Sequence, residues 1–232
     1  MKTIYRGETE FKCNIQAPCF QRLSQSEVEM IKGSKTQVQF RKGENLTKQG
    51  AFASYVLFVV EGIAKQYVEG DGGKSYCFRM AKPGDFVGLS SVFTGSTYSY
   101  STVALTDVQA FLIDSSTILS VANNNGDFAV GLIKRYSQQN SQLFGTIRTL
   151  MYKQMNGRVA EALLYLDGLN VEDLESVFPL LTRKELADFA GVSTENVVKI
   201  LKAFEKDGIV VLDDKSIAIS NREVLEGIAK HG

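Results

Sequence analysis

From residue 35 to residue 113 the apolar positions come in short bursts divided by glycines. "VLFVV" at 56–60 is closed by Glu61, and "AKQYVEGDGGKSYCFRM" at 64–80 reads as two strands around a glycine turn. "VALTDVQAFLID" at 103–114 reads as a further strand pair, and the hydroxyl-rich "GLSSVFTGSTYSYSTV" at 88–103 as a pocket wall or as a polar strand and loop on the surface. Several short strands at this spacing predict a β-sandwich or barrel.

The period changes near Ser115. Residues 127–154 lack proline and carry two apolar stripes, Phe128, Leu132, Ile133 and Tyr136, then Leu143, Phe144, Ile147, Leu150 and Met151. Tyr136, Leu143 and Leu150 are seven apart, the interval of a coiled-coil seam. A helix of this length reaches roughly 40 Å, more than a small core needs. It therefore predicts a dimer seam containing Leu132, Tyr136, Leu143, Ile147 and Leu150. Asn156-Gly157 reads as the break that ends this helix and as a hinge, with a short amphipathic helix following to Gly168.

"LTRKELADFAGVSTENVVKILKAFEKDGIVVL" at 181–212 has helical spacing on both sides of Gly191. Thr182 and Glu185 form a capping box, Gly191 ends the first helix, and Ser193 caps a second. Small Ala187 stands where the two helices must cross. This is a helix-turn-helix, whose second helix enters the DNA major groove. "IVVLDDKSIAIS" then reads as a hairpin around Asp213-Asp214-Lys215, a wing, and a capping box from Ser220 to Glu223 opens a last helix. The fold class is α+β: an N-terminal antiparallel β-roll over residues 1–126, a long helix over 127–154, and a winged helix-turn-helix over 155–232.

Composition sharpens the picture. The 232 residues are 44% hydrophobic, enough for true cores, yet the run at 56–60 is far too short to span a bilayer. The opening "MKTIYRGETEFKC" has no apolar signal core, so a cytoplasmic protein without membrane contact is expected. Formal net charge is zero, which disfavours nucleic-acid binding as a bulk property but not a local basic patch. The single histidine, His231, leaves no metal-holding barrel and no base for a serine or cysteine nucleophile, so no enzyme is expected.

The segments "FRKGENLTKQG" (40–50), "VLFVVEGIAKQY" (56–67), "KPGDFVGLSSVF" (82–93), "GRVAEALLYL" (157–166) and 181–210 together resemble the Crp/Fnr family of bacterial transcription regulators. The resemblance covers most of the chain from residue 20 onward. It implies a homodimer with two recognition helices on a two-fold symmetric double-stranded DNA site, half-sites about 34 Å apart. It also implies an effector site in the β-roll near the long helix.

On the second helix Ser193, Thr194, Glu195, Val198 and Lys199 are expected to face outward. Thr194, Glu195, Val198 and Lys199 are the candidate base contacts. Glutamate can accept from cytosine N4, and lysine can donate to guanine O6 and N7. Family members often carry arginine where Thr194 and Lys199 stand, which implies a different target. Thr182, Arg183, Ser193 and Lys202 are the candidate phosphate contacts, which position without specifying.

The sensor departs from the family's cyclic AMP pattern. The glutamate expected just after Gly88 is Leu89, and the arginine about ten residues on is Ser99. No lysine or arginine occurs from Pro83 to Ile133, so a buried cyclic phosphate would lack its charge partner. Gly88, Leu89, Ser90, Ser99 and Tyr100, with Leu143 and Phe144 from the helix, are the candidate pocket for an unidentified small-molecule effector. Cys13, Cys19 and Cys77 echo an iron–sulfur ligand set, but three thiolates fall short of the usual four, and no metal or other cofactor is expected. Expected partners are DNA, a second copy of the chain and RNA polymerase. The competing reading is a ligand-binding or interaction module whose helix-turn-helix no longer binds DNA.

Overall fold

The computed structural model describes residues 1–5, 8, 20–95, 97–171 and 174–232; Cys13 and Cys19 lie outside that set. Two compact units emerge, Met1–Glu69 with Arg79–Ser141, and Gly70–Phe78 with Gln142–Gly232.

The first unit is built from β1 (Lys2–Ile4), α1 (Gln25–Ser34), β2 (Lys35–Phe40), β3 (Asn45–Thr47), β4 (Tyr55–Glu61), β5 (Ala64–Glu69), β6 (Ser75–Ala81), β7 (Phe86–Val87), α2 (Leu89–Thr94), β8 (Ser101–Ala104), β9 (Val108–Asp114) and α3 (Ser115–Asn124), with β6 reaching across the boundary. One sheet runs β1-β2-β9-β4-β7 and the other β3-β8-β5-β6. The apolar run of β4 is buried on both faces, as period-two geometry requires. Val56 and Phe58 enter one core with Phe20, Phe86, Phe111 and Phe128; Leu57 and Val59 enter a second with Val38, Phe40, Val87 and Val108.

Two expectations are corrected here. β8 and β9 are not a strand pair but belong to different sheets. The N–H groups of Leu105 and Thr106 both donate to the Ile63 carbonyl, at 2.8 and 3.3 Å, so the chain crosses between sheets instead of folding back. The hydroxyl-rich stretch is not a surface strand either: residues 89–94 form α2, with Leu89, Ser91 and Val92 buried.

The long helix α4 (Gly126–Tyr152) ends earlier than expected, and Lys153 and Gln154 separate it from α5 (Met155–Asp167). Asn156-Gly157 therefore sits inside the first turn of α5 and is no break. The cause is Arg158, whose guanidinium reaches back to the carbonyls of Leu150 (2.6 Å) and Lys153 (2.9 Å) and closes the end of α4.

The chain continues through α6 (Arg183–Ala190), α7 (Thr194–Lys206), β10 (Val210–Asp213), β11 (Ser216–Ile219) and α8 (Arg222–His231). The cap of α8 is Asn221, not Ser220: its Oδ1 accepts from the Val224 N–H at 3.2 Å. Ser220 instead ends the wing, donating its N–H to the Ile209 carbonyl at 2.9 Å. Among the described residues no helix is long and apolar enough to cross a membrane.

Candidate nucleic-acid interface

The helix-turn-helix closes as its sequence requires. Thr182 Oγ1 accepts from the Glu185 N–H at 3.2 Å, and the Glu185 carboxylate accepts from the Thr182 N–H at 2.8 Å. Gly191 ends α6 with φ +63°, a conformation that strains any residue bearing a Cβ. Ser193 Oγ then accepts from the Asn196 N–H at 3.2 Å and starts α7. Leu186, Ala187 and Ala190 of α6 and Val197, Ile200, Leu201 and Phe204 of α7 are buried. That burial fixes which side of α7 remains outside.

Glu195 and Lys199 are exposed and one turn apart, while Thr194 and Val198 are half-buried beside them. Glu195 is held below the usual carboxylate range, first by the backbone N–H it accepts from, then by the Ser193 hydroxyl and the Lys199 charge. It is thus an anion at neutral pH and acts only as an acceptor. Thr182, Ser193 and Lys202 are exposed as well. Arg183 is half-buried, and its Nη2 donates to the Asp214 carbonyl at 2.7 Å, tying the wing to α6. The wing pairs Val210 with Ile219 through to Asp213 with Ser216, leaving the two-residue turn Asp214-Lys215. Asp214 there adopts φ +48°.

Helix α4 has two unlike sides. Phe128 and Leu132 are buried in the roll's core. Ile133, Tyr136, Leu143, Phe144, Ile147 and Met151 are exposed, Phe144 at 71%. Leu132 is therefore not available to a dimer seam; it is 1% exposed and faces its own chain. Leu150 is half-buried against the helix-turn-helix glycine.

In the roll, Gly88 takes φ +79°, and a Cβ there would lie 2.6 Å from the Tyr98 ring. The Gly88 N–H donates to the Tyr100 hydroxyl at 3.0 Å, and the Tyr98 hydroxyl donates to the Tyr55 carbonyl at 2.7 Å. Burial pushes the Tyr100 hydroxyl up, offset by that Gly88 bond. Leu89 is buried, Ser90 half-buried and Ser99 exposed. The Nε2 of buried Gln66, a side chain that also meets Tyr100, has no hydrogen-bond partner among the described residues.

Sequence reasoning missed one feature. Arg79 and Arg135 converge on Asp85, with N–O distances of 2.7 and 3.8 Å, and Arg135 also donates to the Gly84 carbonyl and lies 5.3 Å over the Phe86 ring. The cations flank the lysine- and arginine-free stretch on either side, so a window drawn from Pro83 to Ile133 excludes both. Cys77 is a buried thiol, and among the described residues no cluster of histidine, cysteine and carboxylate could hold a metal.

Comparison with known proteins agrees with this geometry. Residues 37–125 match the family model of the cyclic nucleotide-binding domain, and residues 157–228 match that of the Crp-like helix-turn-helix domain. The chain is 24% identical over 213 residues to a CRP-like cAMP-activated global transcriptional regulator of Mycobacterium tuberculosis, covering 90% of this chain and 95% of that one. Among solved structures it is similar to FixK2 from Bradyrhizobium japonicum, with a TM-score of 0.73 and 25% identity over 84% of this chain and 96% of that one. A crp/fnr-family transcriptional regulator from Eubacterium rectale shares the fold, with a TM-score of 0.76 at 18% identity over 92% and 98% of the two chains. With both domains matched in order along one chain, and with the roll, long helix and capped helix-turn-helix all in place, the protein belongs to the Crp/Fnr family of transcription regulators.

Proposed function

We propose that this chain is a cytoplasmic, homodimeric, sequence-specific DNA-binding regulator that reads bases with Glu195 and Lys199, flanked by Thr194 and Val198. The carrying observation is the pair Glu195 and Lys199, exposed on a helix whose opposite face is buried. An ionised Glu195 suits the cytosine amino group, and Lys199 suits guanine. Thr182, Ser193 and Lys202 hold phosphate, with Arg183 contributing only the donors left over from its bond to Asp214. The exposed apolar stripe of α4 supports pairing with a second copy, which would set two reading helices on a two-fold symmetric site. RNA polymerase is the further partner that such a regulator would engage.

The effector, on this reading, is not cyclic AMP. Leu89 is 3% exposed and closed into the core, and Ser99 carries no charge for a phosphate. Arg79 and Arg135 are already engaged by Asp85 and Gly84. The unpartnered amide of Gln66 supports a ligand or a water that accepts a hydrogen bond near Tyr100.

Sequencing of DNA bound by the purified chain, followed by mobility shifts on the recovered site, tests the main claim. Glu195→Ala and Lys199→Ala should each relax the preference at one base pair, at a cost of about 1–3 kcal/mol. Equal binding by wild type and both variants would reject base reading by α7 and favour an interaction module instead. Calorimetric titration with cyclic AMP should give no saturable heat.

A further inference from the structure

A cavity of about 200 Å³ lies wholly within the C-terminal unit. Its walls come from the start of β6 (Tyr76), from α4 (Thr146, Thr149), from α5 (Arg158, Tyr165) and from α6 (Phe189). These α4 residues do not belong to the exposed stripe. At about 100° per residue, Thr146 and Thr149 point to the side opposite Phe144, Ile147 and Met151. Pairing of two copies along that stripe would leave the cavity open.

The chemistry of the walls narrows what fits. Three Arg158 donors are engaged by the carbonyls of Leu150, Lys153 and Gly191, and Glu161, also in the wall, is paired with Lys153. The carbonyls occupy Arg158's donors without cancelling its positive charge, and the one carboxylate of the wall is already paired, so a cationic guest would be buried unpaired beside a like charge at high cost. Tyr165 and Phe189 form an aromatic wall, their ring centroids 6.1 Å apart and 35° from parallel. The Tyr76 hydroxyl is pushed up to about 12, chiefly by burial, and bonds Thr146, so it stays a neutral phenol. Thr149, 8% exposed, makes no side-chain hydrogen bond among the described residues and can offer its hydroxyl to a guest. A void of about 150 Å³ suffices for one benzene ring.

We propose that this cavity binds a small aromatic molecule that carries a hydrogen-bonding group and no positive charge, with its ring against Tyr165 and Phe189 and its polar edge at Thr149. The Tyr76 ring that walls it also lies 3.3 Å from where a Cβ on Gly191 would stand. A guest therefore stiffens the turn that precedes α7. Any effect on DNA rests on the reading proposed above; binding itself does not.

The test uses the full chain without DNA, labelled with nitrogen-15, and indole as the probe, with benzylamine as the cationic counterpart. Indole should shift the amides of Gly145 and Thr149 saturably, and benzylamine should bind at least about tenfold more weakly. A Cβ on Gly145, another lining residue, meets nothing within 4 Å. Gly145→Met therefore fills the space with a good helix former and should abolish the shifts without lowering the melting temperature. Thr149→Val, nearly isosteric, should weaken indole about fivefold. No saturable shift in the wild type, equal binding of benzylamine, or undiminished binding by both variants would overturn the proposal.

Discussion

Leu150 occupies the space that a side chain on Gly191 would need: its Cδ2 lies 2.6 Å from the ideal Cβ position. The last turn of α4 thus packs directly into the helix-turn-helix corner. Gly191→Ala meets two penalties at once, the left-handed backbone at φ +63° and the displacement of Leu150. The backbone alone costs about 1–2 kcal/mol. The midpoint of urea unfolding should fall accordingly, and an unchanged midpoint would mean that the turn relaxes freely.

Arg158 holds the same corner from another side. Its three donors reach the carbonyls of Leu150, Lys153 and Gly191 at 2.6, 2.9 and 3.4 Å. A lysine keeps the charge but loses the planar fork. Arg158→Lys should cost about 1–2 kcal/mol of stability, and Arg158→Ala more, because half-buried carbonyls at the end of α4 lose their donors. Equal stability of wild type and Arg158→Ala by calorimetry would show that water replaces all three bonds.

The two sides of α4 make opposite predictions. Leu132 is 1% exposed in the roll's core, so Leu132→Ala should lower stability by about 2–5 kcal/mol while leaving self-association intact. Ile147 is 49% exposed on the outer stripe, so Ile147→Glu should leave the fold intact and drive the chain to monomer. Sedimentation velocity and thermal melts on both variants separate the effects. A monomeric wild type at working concentrations would remove the proposed pairing.

Glu195 gives a pH signature. Its carboxyl is held low by the backbone N–H at the start of α7, by Ser193 and by Lys199. The folded chain therefore binds its proton less tightly than the unfolded chain. Its contribution to stability is complete above the ordinary carboxylate pKa and is lost as pH falls through the lowered folded value. Carbon-13 titration should give a midpoint below that of glutamate in an unstructured peptide, and Ser193→Ala should raise it. An identical midpoint in Ser193→Ala would remove the hydroxyl as a cause.

The helix-turn-helix was legible because its rules are local. Thr182 with Glu185, the turn at Gly191 and the cap at Ser193 all act within four residues, and each is formed as expected. What escaped was set by distant partners. That β8 and β9 part into different sheets depends on the Ile63 carbonyl some forty residues earlier. The seven-residue interval found an apolar seam but could not say that Leu132 belongs to the chain's own core. Arg79 and Arg135 meet at Asp85 only because the roll brings β6, the loop before β7 and α4 together. Ser220 and Asn221 are both good caps on paper; both N–H groups donate to the Ile209 carbonyl, and it is the Asn221 side chain that accepts from Val224.

The inward and outward rows of α4 also limit how this chain can change over time. Inserting one residue between Arg135 and Leu143 would rotate everything beyond it by about 100°. Ile147 and Met151 would then take the directions now held by Arg148 and Tyr152, and Thr146 and Thr149 those of Ile147 and Leu150. Tolerated length variants should therefore be rare along this rod, and those that arise should add or remove nearly whole turns, three or four residues together.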